Sequence, residues 1–491
     1  MNKTTIAVAK GDGIGPEIMD AVLHIFNEAK VPLNYKFIEM GKSIFEQGHS
    51  SGMTDEARQT IEETGILFKG PMETPKGKGV KSINVTARKV WNTYANVRKF
   101  RTLKGVDTIF SKAGIPINIT MLRENIEDTY GGVEYLQTYD VAVAYRFITR
   151  PGSEQFIRYA FEYAVREGII QITCGHKANI MKLTDGIFLS TFYEIAKEYP
   201  SIKVNDLIVD DLAMKLVRMP DKFTMIILTN LQGDIISDLC AGLVGGLGFA
   251  PSANIGDNIS IFEAVHGTAP DIAGKNIANP TSLIFSGLML LRHLGVISYA
   301  DTIENALLYT LEEGKHTSDF GNKDTNSLST SEFANAIISN FGKKPLEIHN
   351  IVDTGTEDFS FQKPKEPEYM QILYTKTEDH DPEKITGTDI FVCSIQTPEE
   401  LATIAQPLLP QKLELKIISN RGTQVWPHAS KYTDSVALFS LRIELKDNTL
   451  LLSELEILQL ASVISNHLKV VGVAFLKEWG ALKGYSMVQG E

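Results

Sequence analysis

Cysteine is scarce in this chain: Cys174, Cys240 and Cys393 are the only three in 491 residues. Their wide separation fits neither a zinc spacing nor a disulfide framework, so they read as incidental thiols of a reducing compartment. A cytoplasmic location is the expectation. Positive charge is also short, with 48 Lys and Arg against 60 Asp and Glu, a net charge of −12. A nucleic-acid partner is therefore not expected, because no basic stripe is available to neutralise phosphates. A few arginines gathered in one pocket remain compatible with that balance. No stretch approaches the roughly 20 uninterrupted apolar residues of a membrane span, so no membrane partner is expected. A strand predicted at Thr4 to Ala9 begins almost at Met1, leaving no room for a leader peptide.

Hydrophobic residues are plentiful at 43%, enough for large cores, and the length predicts more than one domain. Through residues 1–342 short apolar strands alternate with helical stretches, the pattern of α/β layering. Ile169 to Thr173 and Leu207 to Val209 read as strands, and Leu283 to Leu294 as a strongly apolar helix. Between 343 and 386 Lys, Pro, Glu and Asp dominate, which predicts a connecting segment. Residues 387–491 predict a small β-α-β-β-α-β domain of ferredoxin-like type. Its strands are expected at Ile390 to Val392, Leu413 to Ser419, Ser435 to Leu445 and Val470 to Leu476. Its helices are expected at Pro398 to Leu408 and Ser453 to His467.

The most informative pattern is a pair of aspartates, Asp234 and Asp238, following the buried run Met225 to Leu228. Residues four apart share a helix face, so both carboxylates point the same way. Carboxylates converging at the end of a buried strand suit a hard divalent cation such as Mg²⁺. Acidic residues near a helix start also serve capping and the macrodipole, so the spacing alone leaves both readings open. Gly11-Asp12-Gly13-Ile14-Gly15-Pro16 invites a dinucleotide fingerprint, but the glycine spacing is wrong. A tight turn into a helix is the better reading. Arg88, Arg98 and Arg123 lie in separate segments, and brought together they would suit a substrate with several carboxylates. Lys177 follows a predicted strand and could move a proton if its neighbours lower its pKa.

These motifs, in this order, resemble the metal-dependent β-decarboxylating dehydrogenases. Within that family Ser82, Asn84 and Arg88 look like isocitrate dehydrogenase. The tail around Ile417 to Val425 is similar to the extra C-terminal domain of the long isocitrate dehydrogenases of thermophilic bacteria. The resemblance implies a two-domain α/β fold, with 1–98 and 246–342 as the large, cofactor-binding domain. Residues 99–245 would form the small domain, with a dimerising clasp. Ser82, Asn84, Arg88, Arg98 and Arg123 match the residues that hold isocitrate. Tyr130 and Lys177 match the acid/base pair, with Lys177 given by the neighbouring subunit. Asp210, Asp234 and Asp238 match the ligands of Mg²⁺ or Mn²⁺, one of them crossing the interface. The resemblance thus implies a homodimer with shared active sites, and the C-terminal domain could extend the assembly further.

Thr74 matches a position near the nicotinamide. Glu263 to Gly274, including His266, Gly267, Asp271 and Ile272, matches the adenosine-binding loop, with Asn279 beyond it. Family members that use NADP carry Lys and Tyr where this chain has Asp271 and Ile272. They often add Tyr and Arg where it has Ser318 and Asn322. A carboxylate at 271 can accept bonds from both ribose hydroxyls and would repel a 2′-phosphate. NAD is therefore the expected cofactor, with NADP the alternative if Asp271 is solvated and Lys275 or Lys323 meets the phosphate. The alternative substrates are 3-isopropylmalate, homoisocitrate and tartrate, though polar Ser82 and Asn84 disfavour an isopropyl group. A non-catalytic regulatory subunit is the alternative outside catalysis.

Overall fold

A computed structural model describes residues 3–49, 51–73, 82–318, 327–346, 381–427 and 434–485. Two compact units emerge: 1–130, 148–177 and 187–373 in one, and 131–147, 178–186 and 374–491 in the other.

The first unit is built on a mixed sheet of ten strands. Their order is Leu33–Phe37, Thr4–Ala9, Ile66–Lys69, Ser260–Ala264, Pro251–Ile255, Ala95–Arg101, Asn118–Glu124, Met225–Leu228, Gln171–His176 and Lys203–Ile208. The strands flanking the centre run parallel, and the fully buried ones, such as Ile66–Lys69 and Met225–Leu228, suit a sheet covered by helices on both faces. Pairing is antiparallel at the centre, where Ala95–Arg101 joins Pro251–Ile255 on one side and Asn118–Glu124 on the other. Helix Thr281–His293 is buried along most of its length, and the apolar run at 283–294 is accounted for by this packing. The strand expected at Ile169 begins instead at Gln171.

The glycine turn at 11–15 is a turn into helix Gly15–Glu28, as its spacing predicts. Gly11 and Gly13 sit at φ +82° and +61°. A Cβ on them would lie 2.3 Å from the Pro71 carbonyl oxygen and 2.1 Å from that of Thr268. Only glycine tolerates both the left-handed backbone and that approach. The Ile14 N–H donates to the Thr268 carbonyl at 2.9 Å, so this turn braces the 263–274 loop.

In the second unit, residues 383–479 form a four-stranded antiparallel sheet in the order Leu413–Asn420, Phe439–Leu445, Glu383–Cys393, Lys469–Trp479, with two short edge strands. Helices Pro398–Ala405 and Glu454–Ser465 both start on a capping box, Thr397 with Glu400 and Ser453 with Glu456, as S/T-x-x-E predicts. This is the expected split β-α-β-β-α-β unit. Residues 435–438 are not strand: the Asn420 side chain takes the backbone of Val436 and Leu438 and holds that stretch as a loop. Residues 131–147 carry a two-stranded hairpin with Tyr135, Tyr145 and Phe147 ring against ring.

Asp389 and Arg442 face each other across neighbouring strands in a two-pronged pair at 2.9 and 2.7 Å, with side chains 15% and 8% exposed. Asp389→Ala would leave a buried guanidinium without its counter-charge, at a cost of about 3 kcal/mol. Replacing both residues with apolar ones should recover most of that loss. Urea unfolding of the three proteins tests this, and a single variant as stable as the parent would refute it.

Candidate active site

Arg98 and Arg123 come from the central antiparallel pair, where Asn96 lies directly opposite Arg123. Both arginines are buried, 4% and 1% exposed. Helix Asn230–Leu243 crosses beside them and presents Asn230, Gly233, Asp234, Ser237 and Asp238 at i, i+3, i+4, i+7 and i+8, a single face. Arg123 pairs with Asp234 and donates from Nε and a terminal nitrogen to Asn230 Oδ1 at 3.0 and 2.7 Å. Arg98 donates to Ser237 Oγ at 2.6 Å and to Asn96 Oδ1 at 2.9 Å. It also lies 3.8 Å from Asp234 and 3.7 Å from Asp238. The Tyr130 hydroxyl donates to Asp234 Oδ2 at 2.6 Å, and its ring lies under the Arg123 guanidinium at 4.9 Å.

This crowd of charge sets the protonation of its members. Burial and the neighbouring Arg123 and Arg88 lower Arg98 to about 10, so it stays cationic at neutral pH. Burial opposes ionisation of Asp234, but Arg123, the Tyr130 hydroxyl and Arg98 outweigh it and hold the carboxyl below its usual range. Asp238 moves the other way, raised by burial and by Asp234 against the pull of Arg98. Burial, then the bond to Asp234, raise Tyr130, which therefore carries its proton at neutral pH.

A second ring adjoins this one. Ser82 caps helix Ile83–Val90, its hydroxyl accepting from the Val85 N–H. One turn apart on that helix, Asn84 accepts from Lys69 at 2.9 Å and Arg88 donates to Glu263 at 2.9 Å. Lys69 and Glu263, both nearly inaccessible, pair directly. Burial would raise Glu263, but Lys69 and Arg88 hold it far below the usual carboxylate range. Asn254 then links the rings, donating to Glu263 at 2.8 Å and accepting from Asn96 at 2.9 Å. Of these residues, sequence reasoning passed over Lys69, Asn96, Asn230, Ser237 and Asn254. A signal for two of them existed, since Asn230 and Ser237 fall on the helix stripe of the aspartates. Glu263, read from sequence as part of the cofactor loop, turns its side chain to Arg88.

Lys177 and Asp210 form a separate pair, at the end of strand Gln171–His176 and in the first turn of helix Val209–Arg218. The two aspartates of helix Asn230–Leu243 suit a divalent cation chemically. Among the described residues, however, no three His, Cys, Asp or Glu gather closely enough to hold a metal. In the 263–274 loop, His266 Nδ1 lies 3.0 Å from the Gly267 carbonyl oxygen. Asn279 is buried and its Oδ1 accepts the Thr281 N–H at 2.9 Å. Ile272 is half-buried, while Asp271 and Lys275 are exposed. Thr74, Asn322 and Lys323 lie outside the described residues.

Residues 5–337 match the family model described as isocitrate/isopropylmalate dehydrogenase, and residues 383–491 match the bacterial isocitrate dehydrogenase C-terminal domain. The chain belongs to this family. It is 42% identical over 495 residues to the isocitrate dehydrogenase [NADP] of Thermus thermophilus, covering 99% of this chain and 96% of that protein. The isocitrate dehydrogenase [NADP] of Rickettsia bellii is 40% identical over 494 residues, 99% of each. A crystal structure of a Thermus thermophilus protein superposes with a TM-score of 0.89 at 41% identity, covering 100% of this chain and 96% of that one. The fold is that expected from the resemblance, a two-domain α/β enzyme fold with a C-terminal α+β domain.

These relatives overturn the expectation of NAD. A carboxylate at 271 would repel a 2′-phosphate strongly only if it were shielded from water. The exposed position of that carboxylate lets water and salt screen it, which removes most of the penalty.

Glu124, next to Arg123, accepts the backbone N–H groups of Ile126 and Glu127. Burial pushes it up to about 8, against those bonds and with help from Glu127. Unfolded, it loses its proton near 4.5. Its contribution to stability is therefore full below that pH, declines as pH rises, and is lost above about 8. The decline is on the order of 4 kcal/mol. Glu124→Gln should flatten this dependence in urea unfolding across neutral and mildly alkaline pH. An unchanged slope would refute the assignment.

Proposed function

We propose that this member of the isocitrate/isopropylmalate dehydrogenase family oxidises isocitrate with NADP and releases CO₂ to give 2-oxoglutarate, acting as a homodimer with Mg²⁺ or Mn²⁺. The observation that carries the reading is the gathering of three guanidiniums, the buried Arg98 and Arg123 and the half-buried Arg88, beside two aspartates and a tyrosine. Three fixed cations match a substrate with three carboxylates, and guanidinium meets carboxylate in a two-pronged geometry. Ser82 and Asn84 add neutral polar contacts at the start of the Arg88 helix. The names of the relatives matched over the whole chain support isocitrate and NADP.

Asp234 and Asp238 would hold the divalent ion, with Asp210 supplied by a second subunit. Bound there, the ion would supply Lewis acidity toward the substrate's hydroxyl oxygen, and the nicotinamide of NADP would supply the hydride acceptor. The chain's own residues do the rest. The arginines orient the carboxylates, so that the one lost as CO₂ departs from a fixed position. Tyr130, protonated at neutral pH, would give its proton to the carbon that CO₂ leaves. Lys177 of the second subunit is the proposed proton acceptor at the hydroxyl. Ile272 and Asn279 would line the adenosine site, His266 and Gly267 its loop, and Thr74 the nicotinamide. Asp271 would point to water, while Lys275 or Lys323 meets the 2′-phosphate.

Purified protein with isocitrate and Mg²⁺ should reduce NADP, with a higher kcat/KM than for NAD. No turnover with either cofactor would remove the functional reading, and a preference for NAD would remove the choice of NADP. Tyr130→Phe and Lys177→Met should each lower kcat by about a hundredfold or more. If the site is shared, mixing the two inactive variants under subunit exchange should restore activity. In the mixed dimer one site would keep both groups. No recovery in any mixture would refute the composite site.

A further inference from the structure

The two buried arginines on the central strands are held on their far sides by groups without charge. Asn230 Oδ1 accepts two N–H groups of Arg123, while its amide lies 3.3 Å from the Glu127 carbonyl oxygen as donor. The Ser237 hydroxyl gives its hydrogen to the Asp234 carbonyl at 2.8 Å, which leaves its lone pairs aimed at Arg98. Asn96 accepts from the Arg98 Nε. Gly233, between Asn230 and Ser237 on the same helix face, lets the helix close onto Arg123. A Cβ there would lie 2.7 Å from Arg123 Cγ and 2.9 Å from Cβ. Glycine within a helix is unfavourable, so its place here follows the arginine rather than the helix.

We propose that Asn230 and Ser237 are positioning residues for substrate recognition, orienting the Arg123 and Arg98 guanidiniums through uncharged acceptors so that their positive charge stays available to substrate carboxylates. Asp234 is the charged partner of Arg123 in this structure, and it is also a proposed cation ligand. Whenever Asp234 is engaged elsewhere in the working site, Asn230 still fixes the guanidinium. An acidic residue at 230 would fix it equally well but would place a second negative charge where the substrate's carboxylates must arrive. An amide oxygen orients without neutralising. The inference rests on the isocitrate reading, and it assigns a recognition role to residues that need not touch the substrate.

The test compares the parent with Asn230→Ala, Asn230→Asp, Ser237→Ala and Ser237→Thr in steady-state kinetics with isocitrate, Mg²⁺ and NADP. Asn230→Ala and Ser237→Ala are expected to raise KM for isocitrate about tenfold or more, as loss of a hydrogen bond to a charged group does. The KM for NADP should stay near the parent value, while the thermal midpoint falls modestly because a buried guanidinium loses an acceptor. Ser237→Thr, which keeps the hydroxyl, should recover most of the loss. Asn230→Asp should raise KM at least as much as Asn230→Ala despite its matching shape. Equal rises in KM for isocitrate and NADP would indicate general damage and overturn the proposal. So would a parent-like KM in Asn230→Ala, or full function in Asn230→Asp. A parent inactive with isocitrate would instead remove the functional reading, and this inference with it.

Discussion

Like charge brought together out of water is the constraint on which the rest of this site depends. Arg88, Arg98 and Arg123 are each within electrostatic reach of the others, and burial, reinforced by that mutual repulsion, lowers Arg98 to about 10. Two buried cations a few ångströms apart repel by several kcal/mol at an effective dielectric near 20. The fold must supply counter-charge and oriented acceptors around all three at once. Glu263 serves Arg88, Asp234 serves Arg123, and the helix pair of Asp234 and Asp238 flanks Arg98. Neutral side chains take further N–H groups of Arg98 and Arg123, while the buried Arg88 Nε has no hydrogen-bond partner among the described residues. Each buried polar group left without a partner in such a cluster costs stability.

The sheet makes that satisfaction possible by reversing direction in its middle. Antiparallel pairing of Ala95–Arg101 with Asn118–Glu124 sets Asn96 opposite Arg123 and leaves Arg98 two residues along. On its other side, Asn96 lies opposite Asn254. Three asparagines, Asn96, Asn125 and Asn254, thus share one buried patch of backbone and amide groups. Helix Asn230–Leu243 is set against this patch by a carboxylate from another segment. Asp128, buried and at φ +67°, accepts the Leu231 N–H at 3.0 Å. A non-glycine residue in that conformation is strained. The strain is carried in the short segment that leads from Arg123 to Tyr130, so one turn positions both the tyrosine and the helix.

The parts of this arrangement legible in the sequence are those set by local periodicity. The shared face of Asp234 and Asp238 follows from a spacing of four. The glycine turn, the capping boxes and the C-terminal β-α-β-β-α-β order follow from patterns a few residues long. The arginines read as a set suited to carboxylates, and the family resemblance added Ser82, Asn84 and isocitrate. Lys69, Asn96 and Asn254 were not legible, because their meeting with Glu263 depends on strands up to about two hundred residues apart lying side by side. The cofactor reading failed for a related reason. The charge of Asp271 was visible, but its exposure was not, and exposure decides whether a carboxylate repels a phosphate or is screened. Residues 435–438 likewise carry a β-rich pattern that one distant side chain, Asn420, overrides.

The separation of Lys177 and Asp210 from the arginine cluster bears on how many chains the chemistry needs. Two aspartates on one helix are a poor cage for a hard divalent cation, which prefers six oxygen ligands and accepts water for only some of them. Lys177 meanwhile spends its charge on Asp210, an exposed carboxylate at the start of a different helix. On the proposed reading each group is half of a working arrangement: an acid pair lacking a further anionic ligand, and a lysine without a substrate hydroxyl to exchange a proton with. The proposed symmetric dimer would resolve both shortfalls with one contact, since a two-fold axis that brought one chain's Lys177 and Asp210 to the other's Asp234 would bring the reverse as well. On the proposed reading, the ion pair seen here keeps two charges matched within the single chain. Association would then exchange that match for one across the interface, so that the assembly and the active site form together.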